Sequence, residues 1–515
     1  MNKFSFTGKK YKQLDKLFIG IVLLFLISVT GCIKSMPENE PWVLEVEYQV
    51  PTQTNTSTPA PQRTPFLPVT REPGKPMLTP TPDSPKVLPT IRVNEEIYSV
   101  QMNDSLNVIA RRFGVDLLSI VNANNIFNPD LLEIGQVLVI PPPNPDSKAP
   151  EFKIIPDSEL VYSPSTIGFD PHELIYSFDS YLSSLDYSDE VILQVAQDHS
   201  VNPRLLITLL EYATGWVTGP NENLEEVPLN EEPETDAWET GLYSLLSRMA
   251  NSLNWGYYSW KADQLGYFVL VDGSYIPADE TSNAATVAIQ YWSATLYGKD
   301  KWYEALSEKG IFSTYSDFFG YPFDFSVEPL IPEGLTQPEF VLPFQRGVAW
   351  SFTGGPHPGW GDGSAWAALD FAPPGSPMGC NVSGDWVTAI TDGIIVRSEN
   401  GAVIQDLDGD GLEQTGWTIL YLHISSWERV EAGTVVKTGD FIGHPSCEGG
   451  VSSGTHLHIA RKYNGEWIDA VGDVPFVMSG FQPQSEGIAY NGYLVGNGVF
   501  IEAWKFFRPE SLVQH

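Results

Sequence analysis

Positively charged side chains are scarce. Lys and Arg total 29 against 64 Asp and Glu, a formal net charge of -35, which disfavours non-specific attraction to nucleic acid or to anionic lipid. Nucleic acid is therefore excluded as a partner class. Cysteine is nearly absent, with three in 515 residues, so a disulfide-built scaffold is excluded and the folded units must rest on apolar cores. The apolar run Leu17 to Val29 has 13 residues, short of the roughly 20 that span a bilayer as a helix. A helix-borne H-E-x-x-H zinc site is missing too, because His172-Glu173 has no second histidine at the required spacing. What is present is ample core material, 42% apolar and 12% aromatic, together with 41 prolines and 44 glycines. At about 100–200 residues per domain, the chain reads as two to four folded units joined by extended segments.

Residues 1–16 carry five lysines and one aspartate before the apolar run, which is the layout of a secretory signal peptide. The run ends in Val29-Thr30-Gly31-Cys32, which resembles the bacterial lipoprotein box. The resemblance implies a signal peptide over 1–31, lipidation of Cys32, and an extracytoplasmic, wall-facing protein anchored to the cell membrane or outer membrane. Cys380 and Cys447 then remain as a pair in an oxidising compartment, where a disulfide between them is an expectation. Residues 32–95 form a tether. Its stretch 51–90 holds 11 prolines and 9 threonines, a composition that buries no core and favours extended polyproline geometry.

Residues 96–143 read as a compact βααβ unit. Ile97 to Val100 has strand character, Asp104-Ser105 opens a helix with Leu106, Ile109, Ala110 and Phe113 at helical spacing, and Gly114 ends it. Val115 to Asn122 gives a second helix and Gln136 to Pro141 a closing strand. Tyr98-Ser-Val-Gln, Ala110-Arg-Arg-Phe-Gly114, Asn122-Ala-Asn-Asn125 and Gly135-Gln-Val-Leu-Val-Ile-Pro141 resemble a LysM module, which implies binding of N-acetylglucosamine-containing glycans such as peptidoglycan or chitin.

Residues 151–335 read as mostly α-helical. Ser188 opens one helix and Asn202-Pro203 another, which carries Leu205, Leu206, Leu209 and Leu210. The string Val201 to Glu211 faintly resembles the glutamate-bearing helix of lytic transglycosylases, although Tyr212 stands where that family has serine. Glycan cleavage, glycan binding and a structural spacer all stay open for this domain. Trp238, Trp255, Trp260, Tyr257 and Tyr258 suit either sugar stacking or a core.

Five of the eight histidines, His357, His423, His444, His456 and His458, fall within 102 residues of the C-terminal part. Gly450-Val-Ser452-Ser-Gly454 satisfies G-x-S-x-G, but the alternating strand pattern that follows is not the helix of a nucleophile elbow. In that strand His456 and His458 share one face while Leu457 and Ile459 face the core. Runs such as Trp386 to Ile390, Thr418 to Leu422 and Val435-Val436, separated by glycine turns, predict an antiparallel all-β domain over 336–515. Cys447-Glu-Gly-Gly450, Ser453-Gly-Thr-His-Leu-His-Ile459 and Tyr463-Asn-Gly465 resemble the lysostaphin-type zinc peptidases, most closely their beta-lytic, staphylolysin-like branch. The general family's H-x-x-x-D is broken here by Trp366, four residues before Asp370. The branch places its histidine 13 residues ahead, where this chain has His357.

The resemblance implies Zn²⁺ held by His357, Asp370 and His458, with His423 and His456 as catalytic imidazoles. Two neutral imidazoles and a carboxylate leave a fourth zinc position to water, whose pKa falls to about 7. Tyr421, in period-two relation to His423, is an expected oxyanion or substrate contact, and His444 a structural or groove residue. Asp406, Asp408 and Asp410, in the acidic turn 406–413, space oxygen donors as calcium loops do, although Trp417 occupies the twelfth position. The chain thus reads as a lipid-anchored, zinc-dependent endopeptidase of peptidoglycan cross-links, positioned by its LysM module. The alternative is a non-catalytic wall-binding scaffold or hydrolase activator with a degenerate peptidase fold.

Overall fold

The computed structural model describes residues 85–88, 92–102, 104–129, 131–143, 148–220, 238–375 and 379–515. The leader, the lipidation expected at Cys32, most of the tether and the side chain of Trp238 lie outside the described residues. No helix among them is long and apolar enough to cross a membrane.

The first unit is a two-stranded sheet, β1 (Glu96–Ser99) paired antiparallel to β2 (Val137–Ile140), packed on α1 (Leu106–Phe113) and α2 (Leu117–Asn124). The Ser105 hydroxyl accepts from Val108 N at 3.2 Å, and Gly114 takes the left-handed φ of +60° that closes α1. Leu106, Ile109, Ala110, Ile120, Leu138 and Ile140 form its small core.

The middle unit is helical: α3 (Pro171–Ile175), α4 (Ser188–His199), α5 (Pro203–Thr214), α6 (Trp238–Lys261), α7 (Ala284–Ala294), α8 (Lys299–Ala305) and α9 (Ile311–Phe319), with a short hairpin of β3 (Tyr267–Val269) and β4 (Tyr275–Pro277). Asn202 caps α5 through Arg204 N, as its Asn-Pro start predicts. Ser188 does not cap α4. Tyr187 holds the cap position with φ +61°, and the Ser188 hydroxyl instead donates to the Leu182 carbonyl at 2.9 Å. Tyr257 and Trp260 are core residues, whereas Trp255 stacks on Tyr291 and stays 40% exposed.

The C-terminal unit is an all-antiparallel sheet. Its strands are β5 (Trp350–His357), β6 (Ala368–Ala372), β8 (Gly393–Glu399), β9 (Ala402–Asp406), β10 (Trp417–Leu422), β11 (Val435–Val436), β13 (Leu457–Tyr463), β14 (Glu466–Trp467) and β18 (Leu512–Val513), in the order β11-β8-β9-β10-β13-β6-β5-β18 with β14 beside β13. Smaller sheets pair β7 (Val387–Thr388) with β12 (Phe441–Gly443), and β15 (Gln482–Ser485) with β16 (Gly492–Gly496) and β17 (Val499–Glu502). Only Val387 and Thr388 of the run 386–390 form a strand, because Ile390 N leaves the ladder to donate to the buried Tyr421 hydroxyl.

Both faces of the main sheet are covered, which explains why β9 and β10 are buried along their whole length. Leu369, Phe371, Ile419, Tyr421, Leu457 and Ile459 pack into the domain's own core. Ala368, Ile404, Leu420, Leu422, Ala460 and Trp467 form the opposite layer, which reaches Tyr258 of α6. Across that boundary the Ser200 hydroxyl donates to the Gly465 carbonyl and the Tyr258 hydroxyl accepts from Trp467 N.

Candidate metal centre

Three adjacent strands bring the candidate ligands together. His357 ends β5, Asp370 is the middle residue of β6 and directly faces His458 on β13. A register shift between Gly354 and His357 swings the end of β5 towards its neighbour. Gly354 is also a spatial requirement, since a Cβ there would lie 2.5 Å from Asp370 Oδ2. The donor atoms converge. His357 Nε2 lies 3.0 Å from His458 Nδ1 and 3.2 Å from Asp370 Oδ1, and His458 Nδ1 lies 3.3 Å from the same oxygen.

The hydrogen-bond pattern says what this triangle is for. His357 Nδ1 donates to the Gly355 carbonyl at 2.7 Å and His458 Nε2 to the Gly359 carbonyl at 2.9 Å. A carbonyl only accepts, so in the neutral rings these nitrogens carry the hydrogens and the facing nitrogens present lone pairs. Asp370 Oδ1, fully buried, has no hydrogen-bond partner. In the neutral rings three electron-rich atoms thus point at one spot, a donor set that could hold a cation. Zinc bound tetrahedrally at ~2.0–2.1 Å separates its ligands by roughly 3.3 Å, so the residues fit the ion that the resemblance implies. Burial by itself would raise the Asp370 carboxyl, but the imidazoles of His357 and His456 outweigh it and hold the group well below the ordinary carboxylate range. Burial also lowers His458.

His456 and His423 border the triangle. His456 Nδ1 donates to the Gly454 carbonyl at 2.8 Å, leaving Nε2 free and 3.7 Å from Asp370 Oδ1. His423 Nδ1 donates to the Glu448 carbonyl at 2.9 Å, and its ring centre lies 4.5 Å from that of His456. Burial depresses His423 to about 3, with His456 adding to the effect. His423 has a φ of +68°. Without that left-handed turn, strand alternation would have sent its ring into the core with Tyr421.

Tyr421 is a correction. It is fully buried, donates to Gln405 Oε1 at 2.7 Å and accepts from Ile390 N, so it touches no site. The backbone reversal at His423 cancels the period-two relation on which the expectation rested. Tyr490, which the sequence reading passed over, stacks on the His357 ring at 4.2 Å. Its phenol is raised above the ordinary value, first by burial and then by Asp370. No local pattern marks it, because it reaches the site from the β15–β16 connection. A cleft of about 730 Å³ opens over the centre, between Val451–Thr455 on one side and Tyr490–Gly492 with Glu502–Phe506 on the other.

The remaining candidates fall elsewhere. Cys380 and Cys447 are joined in a disulfide. His444 is buried between Trp427 (4.1 Å) and Trp386 (3.9 Å), outside the cleft lining. The Glu211 carboxylate accepts Val217 N, Thr218 N and the Thr218 hydroxyl, closing the turn after α5. Asp406, Asp408 and Asp410 approach within 4.8 Å of one another. Each accepts the backbone N–H two residues on, so the run is a chain of aspartate turns joining β9 to β10. Burial, helped by Asp408, lifts Asp406 to about 7. Proximity alone does not support calcium here.

Residues 98–141 match the LysM domain, 153–330 the LasA N-terminal domain and 375–470 peptidase family M23. The chain thus carries LysM and M23 peptidase domains flanking a LasA N-terminal domain. It is similar to the beta-lytic metalloendopeptidase of Achromobacter lyticus, with 29% identity over 180 residues, 32% of this chain and 44% of that protein. It is similar to protease LasA of Pseudomonas aeruginosa, with 23% identity over 295 residues, 53% of this chain and 66% of that protein. It therefore spans less than half the length of the first of these relatives. Among solved structures, the deep-sea M23 metalloprotease pseudoalterin is 25% identical, with a TM-score of 0.27, covering 33% of this chain and 99% of that one. The M23 match begins five residues after Asp370, so His357 and Asp370 rest on the geometry.

Proposed function

We propose that this chain is a zinc-dependent endopeptidase that cleaves peptide cross-links of peptidoglycan, held to the wall by its LysM domain and tethered outside the cytoplasm through a lipid on Cys32. The observation that carries the reading is the triangle of two imidazole lone pairs and an otherwise unpartnered carboxylate oxygen. The retention of all these groups weighs against a degenerate scaffold.

In this reading His357, Asp370 and His458 hold the ion, which when bound polarises a peptide carbonyl and brings the pKa of a water near 7. The carbonyls of Gly355 and Gly359 keep the two imidazoles in the ligating tautomer. His423 and His456 each direct a free Nε2 to the open side. There they take the proton the attacking water loses and return it to the departing amine. Burial favours the neutral form of His423, whose Nε2 then presents a lone pair to the cleft. The Tyr490 phenol, kept protonated by its raised pKa, supplies a donor beside the reacting carbonyl. Loop 451–455 and the wall carrying Trp504 and Phe506 orient an extended peptide across the cleft.

The test is digestion of cross-linked wall fragments by the full chain, read by mass spectrometry, with and without chelator and with His357→Ala. New peptide ends that vanish with chelator and variant, together with loss of bound zinc, are expected. Undiminished cleavage by His357→Ala would refute the assignment.

A further inference from the structure

The segment linking the first two ligands, residues 358–367, leaves β5 after His357 and enters β6 ahead of Asp370, and it rests on α6 of the helical unit. Asp362 N donates to Asn251 Oδ1 at 3.2 Å. A Cβ on Gly361 would collide with that same side-chain oxygen. One on Gly363 would strike the Asn251 backbone carbonyl and come within 3.0 Å of Trp255 N. Glycine at 361 and 363 is what permits the loop to lie against the helix. Further back, Trp360 meets His199 of α4 with ring centres 6.3 Å apart, and its N–H donates to Ser364 Oγ at 2.9 Å. Gly359 packs on the Trp467 ring, and its N–H donates to the Ala365 carbonyl at 3.0 Å. Its own carbonyl takes the hydrogen of His458 Nε2. Contacts therefore run without a gap from Asn251 to the loop and from the loop to a metal-ligating ring.

We infer that Asn251 is a positioning residue of the metal centre: from the helical unit it holds the 358–367 loop so that the Gly359 carbonyl fixes the tautomer and aim of His458. This rests on the metal reading above and extends it, since the LasA-type domain becomes part of what makes the site bind its ion. Partners that orient ligating histidines typically change metal affinity by about 10- to 100-fold. Asn251 acts one contact further out, so the low end of that range is expected.

The experiment measures the zinc dissociation constant of the full chain by competition with a chelating dye, alongside melting of the metal-free protein. Three variants are compared with wild type. Asn251→Ala removes the acceptor but keeps a good helix former. Asn251→Asp keeps an oxygen acceptor in the same place. Ser200→Ala deletes a hydrogen bond across the same domain boundary, to the Gly465 carbonyl and not to the loop. The expected result is an about 10-fold weaker zinc constant for Asn251→Ala, restoration by Asn251→Asp, and an unchanged constant for Ser200→Ala even where its melting temperature falls. An unchanged constant in Asn251→Ala would overturn the inference, and so would an equal weakening by Ser200→Ala. A wild-type chain that binds no zinc would overturn the metal reading itself, a different and recognisable failure.

Discussion

In the proposed reading, four imidazoles of one chemical type are given two duties by single backbone carbonyls. Gly355 fixes His357 with Nε2 inward, Gly359 fixes His458 with Nδ1 inward, and Gly454 and Glu448 leave Nε2 of His456 and His423 free. The resemblance to the beta-lytic peptidases singled out all four rings, through short motifs and the offset from His357 to Asp370. It could not assign tautomers, which depend on carbonyls up to 99 residues away. Nor could it place Tyr421 or Tyr490, one displaced by a single φ reversal and the other supplied by a distant hairpin. A direct consequence concerns His423, which touches none of the three donor atoms by hydrogen bond or ion pair. His423→Ala should keep zinc content near wild type while lowering turnover by about 10²- to 10⁴-fold, the usual contribution of a positioned acid or base. Metal analysis beside a cleavage assay checks it, and a variant that loses zinc as fully as His357→Ala would make His423 a ligand.

At the scale of elements, β6 sits between β5 and β13, and this adjacency turns three separate motifs into one site. Strand patterns were legible from alternation and glycine turns; strand order was not, because it is set by which edges bury best together. The helical unit shows a similar long-range device. Asp157 Oδ1 accepts from Ala285 N in the first turn of α7 and from Asn283 at 2.8 Å each, a cap delivered from 128 residues away. Burial lifts its carboxyl to about 6. The folded chain therefore holds this proton between about pH 4 and 6 where the unfolded chain has released it, so stability falls as pH rises through that window. At about 1.4 kcal/mol per pH unit separating the two pKa values, the loss attributable to this group is roughly 3 kcal/mol. Denaturant unfolding at pH 4, 5, 6 and 7 should show that Asp157→Asn, which keeps an acceptor oxygen, loses less stability across the window than wild type. Parallel curves for the two proteins would discard the account.

Over the whole molecule, the helical and β units meet through buried charge as well as apolar contact. Arg397 on β8 reaches Asp198 on α4 at 2.8 Å and Glu413 at 3.3 Å, and Lys462 on β13 reaches Glu413 at 3.4 Å, all of them buried. Removing one member leaves uncompensated buried charge, so Arg397→Met should destabilise the full chain by ~3–5 kcal/mol in denaturant unfolding. An unchanged midpoint would mean the units do not stay docked in solution. By itself the sequence determined the LysM pattern and the β character of the C-terminal region, since each is written in residue type and short-range spacing, and through its family resemblance it singled out the candidate metal donors. The tertiary structure alone decided that Asp370 faces His458, that its oxygen is left without a hydrogen-bond partner, and that a helix more than a hundred residues upstream braces the ligand loop. Those relations are set by burial and register between segments remote along the chain, where no periodicity or spacing connects one residue to the other.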